Sequence, residues 1–344
     1  MITRKHHQKH IVNVGKNTLA SVLDAILESD CPTRKSIAGK TGYSEVTVGK
    51  VMQAIYLLSL ASKETRKPSD NGRVCAHLAY SDNVRLLVLD ISTRRFTMSL
   101  ISSGLSCDFH YVYTYSDSLR YEENLMIFLS NGAQRLTELN PDYSASLLIS
   151  DNIDGVQRIS HTSQIMPPPA CNLSLIREKI SSVLGSAPDL TVSPDEAIKQ
   201  YLLLKHGKDS AYILTGQTLS AYYLSKAGEL TVCRPWDVIV DGVTLKEYLC
   251  LSGDISVIFS SAARLINILD CTFSPKRIIL QSDNLALGRE FANETKDFLD
   301  SLYRSDRDIC ILDSAYLAQV TGGALCLRKW LFKELIVSFE DSKT

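Results

Sequence analysis

The stretch CPTRKSIAGKTGYSEVTVGKVMQAIYLL, residues 31–58, holds two short helical patterns separated by Thr41 and Gly42. Thr33 is suited to cap the first helix, because its side-chain oxygen can accept from a free backbone N–H. Gly42 suits the left-handed turn that ends this helix, and Ser44 is an N-cap for the next one. Two helices joined by so short a turn predict a helix-turn-helix.

Apolar residues place a further helix before this stretch and orient its last helix. A helix over residues 14–29 is predicted by one stripe, formed by Leu19, Val22, Leu23, Ile26 and Leu27. The last helix has an inner stripe formed by Val48, Val51, Met52 and Ile55. Counted in 100° steps, its opposite face carries Val46, Lys50 and Gln53, flanked by Glu45 and Thr47. In a helix-turn-helix such a face enters the major groove while the preceding helix crosses the DNA backbone.

A basic hairpin is predicted after the helices. Residues 59–80 alternate weakly, and Asp70-Asn71-Gly72 favours a tight reversal between two strands. Lysine and arginine surround this turn, as in a wing that touches phosphates. The candidate DNA contacts of helices and wing together are Thr33, Ser44, Glu45, Val46, Thr47, Lys50, Gln53, Arg66, Lys67 and Arg73.

The charge of the chain is divided unequally. Residues 1–75 contain 12 Lys and Arg and 6 Asp and Glu, so 12 − 6 gives +6, and the remaining 25 and 32 give −7. A basic head on an acidic body favours a polyanionic partner, and we expect double-stranded operator DNA. Three helices and a hairpin can also form a protein-binding module, and that alternative stays open.

Composition restricts the class of protein. The 344 residues are 45% hydrophobic and 22% charged, and no run of 18 apolar residues predicts a membrane span. The basic first ten residues are followed by no apolar segment, so we expect no secretory signal. The nine cysteines form no C-x-x-C pair, which argues against a disulfide framework or a zinc knuckle. We expect a cytoplasmic chain.

The remainder of the chain alternates between strand and helix patterns, which predicts an α/β fold. Strands are predicted at RLLVLD (85–90), SASLLIS (144–150) and RIILQS (277–282), with a hairpin at SAYILTGQTLSAYYLS (210–225). Helices are predicted at NLSLIREKISSVLG (172–185), VIFSSAARLINILD (257–270) and GREFANETKDFLDSLY (288–303).

The order of these elements resembles the ROK family of repressors, open reading frames and kinases. The resemblance begins with the helix-turn-helix and the wing and continues through NGRVCAHLAYSDNVRLLVLDISTRRFTMSLISSG. It implies a winged helix-turn-helix followed by a two-lobed, sugar-kinase-like domain of the actin/ribonuclease-H type. The implied domains are residues 1–78 for the head, 79–195 plus 312–344 for the first lobe, and 196–311 for the second lobe.

The resemblance also assigns places in a ligand cleft. Asp90 stands at the family's first phosphate loop, but Ile91-Ser92-Thr93-Arg94 replaces the glycines that admit a nucleotide. Asp195 stands at the catalytic aspartate, with Pro194 in place of the sugar-binding asparagine. For Asp90 a strand-end cap is the alternative role. For Asp195 the alternative is a helix start, since proline and acids favour the first turn.

Two further places complete the implied cleft. Gly216 marks the second phosphate loop, and Glu247 the last sugar-contacting residue. The family's zinc motif is absent. We therefore expect no catalytic residue, no metal and no cofactor, and a repressor that responds to a sugar or another small molecule and forms a homodimer or homotetramer. An ATP-dependent sugar kinase with an appended head is the alternative.

Overall fold

The computed structural model describes residues 14–29, 32–66, 75–91, 95–116, 118–139, 142–148, 173–215, 220–233, 239–240, 243–244, 255–282, 308–312 and 318–341, with five further positions between 293 and 300. Helices and strands are numbered in chain order within this part of the chain.

Three helices and a hairpin form the head. They are α1 (Lys16–Leu27), α2 (Arg34–Thr41), α3 (Glu45–Leu57), β1 (Ala61–Arg66) and β2 (Cys75–Tyr80), and the two strands pair antiparallel. Thr33 and Ser36 cap α2 reciprocally, Gly42 ends it at φ +75°, and the Ser44 side chain accepts from the Thr47 N–H at 3.2 Å. The predicted caps are thus confirmed. Helix α1 is two residues shorter than predicted at each end, and Gly15, which precedes it, offers no side-chain cap.

The body contains two five-stranded sheets with the same connectivity. The first has the order β5-β4-β3-β6-β7 and the second β10-β9-β8-β13-β14. In each sheet the first three strands along the chain pair antiparallel, and the next two join parallel. The body is therefore two topologically equivalent lobes, and the predicted strands and the β8–β9 hairpin are confirmed.

The strands have the following bounds. The first sheet contains β3 (Arg85–Asp90), β4 (Arg95–Ser102), β5 (Cys107–Thr114), β6 (Tyr143–Leu148) and β7 (Leu190–Val192). The second contains β8 (Ser210–Thr215), β9 (Ser220–Leu224), β10 (Leu230–Cys233), β13 (Arg277–Ser282) and β14 (Asp308–Leu312). A separate two-stranded ribbon is formed by β11 (Ile239–Val240) and β12 (Val243–Thr244).

Helices cover both sheets. Helices α4 (Tyr121–Leu139) and α5 (Leu173–Leu184) share one core with the first sheet, and α7 (Ile255–Phe273) shares another with the second. The helix predicted over residues 288–303 lies mostly outside the described residues. Within the described part of the chain, no helix has the length and apolar character needed to cross a membrane.

Two helices each pack against the lobe opposite to the one that they follow in the chain, an arrangement called here the exchange of α6 and α8. Helix α6 (Pro194–Lys205) follows β7 of the first sheet, but its Ile198 and Leu202 pack with Tyr212 of the second. Helix α8 (Ala318–Asp341) follows β14 of the second sheet, but its Val320 packs with Val88 of the first. The two helices contact each other, so each lobe is held against the other by burial of both.

Candidate nucleic-acid interface and ligand cleft

Helix α3 presents outward the face that the sequence predicted. Its inner residues Val48, Val51, Met52 and Ile55 are at most 2% exposed. On the opposite side Val46 is 71% exposed, and Lys50 and Gln53 are exposed as well. An exposed valine beside a lysine and a glutamine suits base edges, since the thymine methyl group is apolar and the other edge groups form hydrogen bonds.

The hydroxyl groups at the helix starts serve as caps. The Ser44 hydroxyl accepts from the Thr47 N–H and lies 3.0 Å from the Thr47 hydroxyl. The Thr33 hydroxyl accepts from the Ser36 N–H at 3.1 Å. Their first role is therefore to fix where α2 and α3 begin. Glu45, in the first turn of α3, is exposed beside this cap.

The wing is joined to the helices by a backbone bond. The Leu78 N–H of β2 donates to the Pro32 carbonyl, just before α2, at 3.0 Å. Lys63 on β1 is exposed. Lys67 and Arg73 lie outside the described residues, as does the side chain of Arg66, so the predicted wing contacts stay predictions.

One basic residue that the sequence reasoning missed lies against α3. Arg34 begins α2, and its guanidinium group lies over Gly49 in the middle of α3. A glycine in the middle of a helix usually allows close approach of another backbone or of a neighbouring helix. The structure instead places a charged side chain at that position. A mid-helix glycine beside an arginine one helix earlier was the available signal.

A buried arginine fixes the head on the body. Arg328 of α8 is 1% exposed, and its guanidinium donates to the Leu27 carbonyl of α1 at 3.2 Å and to the Ser103 carbonyl at 2.6 Å. The same group stands 3.9 Å from the centre of the Tyr80 ring. Such a group bridges three elements at once, because a guanidinium carries five N–H donors and a flat face.

An ion-pair cluster borders this arginine. Lys329 and Lys333 of α8 lie 3.2 Å and 2.8 Å from the Asp24 carboxylate of α1. Burial lowers the pKa of Lys329, but the charges of Asp24 and Glu28 outweigh burial and raise that pKa above its usual value. Burial raises the pKa of Asp24, but the hydrogen bonds and charges of the two lysines outweigh burial and lower that pKa below its usual value. Asp24 and Lys329 thus both favour their charged forms.

In the body, Asp90 is fully buried at the end of β3. Its carboxylate accepts a hydrogen bond from the Gln319 amide of α8 at 2.6 Å. The Gln281 side chain of β13 accepts from the Ala318 N–H at 2.9 Å and from the Tyr212 hydroxyl at 2.7 Å. The first turn of α8 is therefore bonded to both sheets, and the predicted phosphate-loop aspartate takes part in that junction.

Asp195 lies in the first turn of α6. Ser193 caps this helix through the Glu196 N–H at 3.2 Å, and Pro194 is its first residue, as a helix start requires. Asp195 is half-buried and hydrogen-bonds the Tyr222 hydroxyl of β9, and burial together with the Asp195 charge raises the pKa of Tyr222. The carboxylate of Asp195 is thus committed to a partner inside the body.

Both Asp90, through Gln319, and Asp195 are held close to the point where α6 and α8 cross. Gly322 of α8 lies directly against Ala197 of α6. Gly322 is three residues from Gln319, and Ala197 is two residues from Asp195.

The other two predicted cleft residues, Gly216 and Glu247, lie outside the described residues. Within the described part of the chain, no group of three or more His, Cys, Asp and Glu side chains is arranged to hold a metal ion.

Comparisons with known proteins show which solved structures have a similar fold. A scan of protein families and a search of curated proteins found no match. Among solved structures the chain is similar to a ROK family transcriptional regulator, a homologue of the E. coli MLC protein, at 13% identity and a TM-score of 0.53 over 93% of this chain and 98% of the other. A glucomannokinase from Arthrobacter sp. strain KM matches 71% of this chain and 99% of its own at 15% identity and a TM-score of 0.49. The chain has the fold of the ROK regulator, with the two-lobed sugar-kinase-like body that the resemblance implied.

Proposed function

We propose that this chain is a sequence-specific DNA-binding transcriptional regulator of the ROK type, and that it acts as a repressor. The observation that carries the proposal is the outward face of α3, where Val46, Lys50 and Gln53 are exposed within a head of net charge +6 over residues 1–75. The ROK regulator whose fold it shares also spans both head and body.

The body is proposed to sense a sugar or another small metabolite without phosphorylating it. Phosphoryl transfer needs charged and backbone groups that are free to meet the nucleotide phosphates. Asp90 is fully buried and bonded to Gln319, and Asp195 is bonded to Tyr222. Both acids therefore hold the body together in this arrangement, and a non-catalytic role fits their contacts.

A repressor of this kind acts as a pair or a tetramer. Two symmetric heads read two half-sites spaced by about one helical turn, or a multiple of it. A metabolite then regulates binding only by its different affinities for the arrangements of the heads.

Selection from a random double-stranded DNA library tests the DNA-binding function. We expect a palindromic winner whose affinity falls steeply as salt rises, because neutralised phosphates release counterions. Lys50→Ala should weaken binding to the winner about ten-fold. Lys276→Ala is the matched control, since it removes the same charge from an exposed position on the body. No enriched sequence, or equal loss in both variants, would contradict the proposal.

A separate assay tests the non-catalytic body. With ATP, Mg²⁺ and hexoses we expect no turnover above that of a heat-inactivated sample. Turnover that Asp195→Asn abolishes would show a sugar kinase and would leave the DNA-binding proposal to its own test.

A further inference from the structure

Gly49 is an unexpected residue in the middle of α3. Glycine is much less favourable than alanine in the interior of a helix. Its φ is not in the left-handed region, so the backbone does not require glycine. The residue is nevertheless buried, although it lies on the surface of the head beside the exposed face of α3. Something other than the helix itself must cover it.

The Arg34 guanidinium provides that cover. A Cβ atom built on Gly49 would lie 3.2 Å from Arg34 Nε, 3.3 Å from Cζ and 3.5 Å from Nη1. Any side chain at position 49 would therefore press on the guanidinium group and displace it. Because Gly49 has no side chain, it leaves a space on the surface of α3, which we call the seat. The flat guanidinium group of Arg34 occupies this space.

Arg34 is exposed in this seat, with its guanidinium group against α3. Among the described residues, its N–H groups have no hydrogen-bond acceptor, whereas Lys40, in the last turn of the same helix, pairs with Glu28 at 3.2 Å. Its positive charge also acts on Tyr56, seven residues beyond Gly49 on the same side of α3, and opposes the rise that burial causes in the Tyr56 pKa. A guanidinium with unused donors lies along the flank of the helix proposed to read DNA.

We propose that Arg34 is a phosphate-binding residue of the DNA interface and that Gly49 is the positioning residue that gives it its seat. The inference rests on the proposed function. In a helix-turn-helix the helix before the reading helix crosses the DNA backbone, and Arg34 is the first residue of that helix. A planar guanidinium forms two parallel hydrogen bonds to a phosphate, which fixes the depth and register of α3 in the groove.

The test compares variants of the full chain on the duplex selected by the wild type and on an unrelated duplex. Arg34→Ala should weaken binding to both about ten-fold. It should also reduce the slope of log affinity against log salt by about one, the share of a single phosphate contact. Arg34→Lys, which keeps the charge but loses the planar fork, should keep the slope and recover only part of the affinity.

Gly49→Ala separates positioning from folding. It should weaken DNA binding about three-fold, while the thermal midpoint stays equal or rises, because alanine favours helix and the displaced group is the end of a flexible side chain. The double variant with Arg34→Ala should bind no more weakly than Arg34→Ala alone. Gly39→Ala in α2 is the control, since a Cβ there meets nothing within 4 Å and its DNA affinity should not change.

Each contrary result overturns a specific part of the inference. If Arg34→Ala weakened binding only to duplexes that carry one particular base at one position, Arg34 would read a base and would not bind a phosphate. Unchanged affinity in Gly49→Ala, with a loss in Arg34→Ala, would remove the role of the seat. Wild-type affinity in both variants would remove both roles while the proposed function stands. A wild-type chain that binds no duplex would overturn the proposed function and this inference together.

Discussion

Replacing Gly322 with alanine perturbs the contact between the two exchanged helices at its tightest point. A methyl group on Gly322 would overlap the Ala197 carbonyl of α6, and Ala197 Cα would lie only 2.9 Å away. These atoms belong to helix backbone, so they cannot turn aside as a side chain does. The helices must separate, which loosens the packing of α6 and α8 on both sheets.

The magnitude follows from two opposing effects. Overpacking in a core costs about 1–3 kcal/mol, and a backbone obstacle places this substitution at the upper end, about 3 kcal/mol. Alanine returns about 1 kcal/mol through helix propensity, which leaves a net loss of about 2 kcal/mol. For a chain of this length, an unfolding entropy of about 2 cal/mol/K per residue converts that loss into a fall of about 3 °C in the thermal midpoint.

Thermal unfolding followed by circular dichroism and by tryptophan fluorescence measures the effect, since Trp330 lies in α8. Gly39→Ala is again the matched control, because it makes the same change at an exposed helical position with no neighbour within 4 Å. Its midpoint should be equal to that of the wild type or higher. If Gly322→Ala were as stable as Gly39→Ala, the close approach of α6 and α8 at Gly322 would be refuted.

Three other substitutions test the interface and the body. Val46→Ala should weaken operator binding about three-fold, as should replacing the contacted thymine with uracil. The two changes together should weaken binding no more than either alone. An additive loss of affinity would exclude a methyl contact. Burial, with nearby positive charges, lowers the pKa of His206 to about 4. Because the unfolded chain then takes up the proton first, stability should fall as pH drops from about 6.5 towards 4. His206→Gln should reduce that fall in urea titrations at pH 7 and 5, and an unchanged fall would assign it to other groups. Gln319→Leu removes a donor from buried Asp90 and should lower the free energy of unfolding by about 1–3 kcal/mol, whereas an unchanged urea midpoint would show that this bond contributes nothing.

The local features of the head were predictable because they depend on neighbouring residues. A cap needs only the side chain of Thr33 or Ser44 and an N–H three residues later, and the turn after α2 needs only a glycine at position 42. The apolar stripe of α3 was likewise sufficient to place Val46 outside and Val48 inside. The caps, the turn and the buried face of these helices are therefore determined by short stretches of sequence.

The contacts that define the sites of the body were not predictable in the same way. Asp90 meets Gln319 across 229 positions of the chain, and no periodicity links the two. The exchange of α6 and α8 depends on which sheet each helix packs against, and an apolar stripe on a helix does not specify its partner. The seat of Arg34 on Gly49 depends on the crossing of two helices, which pattern alone does not fix.

Helix α8 determines how the head sits on the body. Its first residue is bonded to Gln281 of the second sheet and its second to Asp90 of the first sheet. Arg328, ten residues after the first, is bonded to Leu27 of the head. At 1.5 Å per residue these contacts span about 15 Å of one continuous helix. Because these contacts lie on one continuous helix, a shift of α8 along its axis would move the contacts at the lobe junction and at the base of α1 together. In the regulator proposed above, the helix that holds the lobes together would therefore also determine the spacing of two heads on DNA.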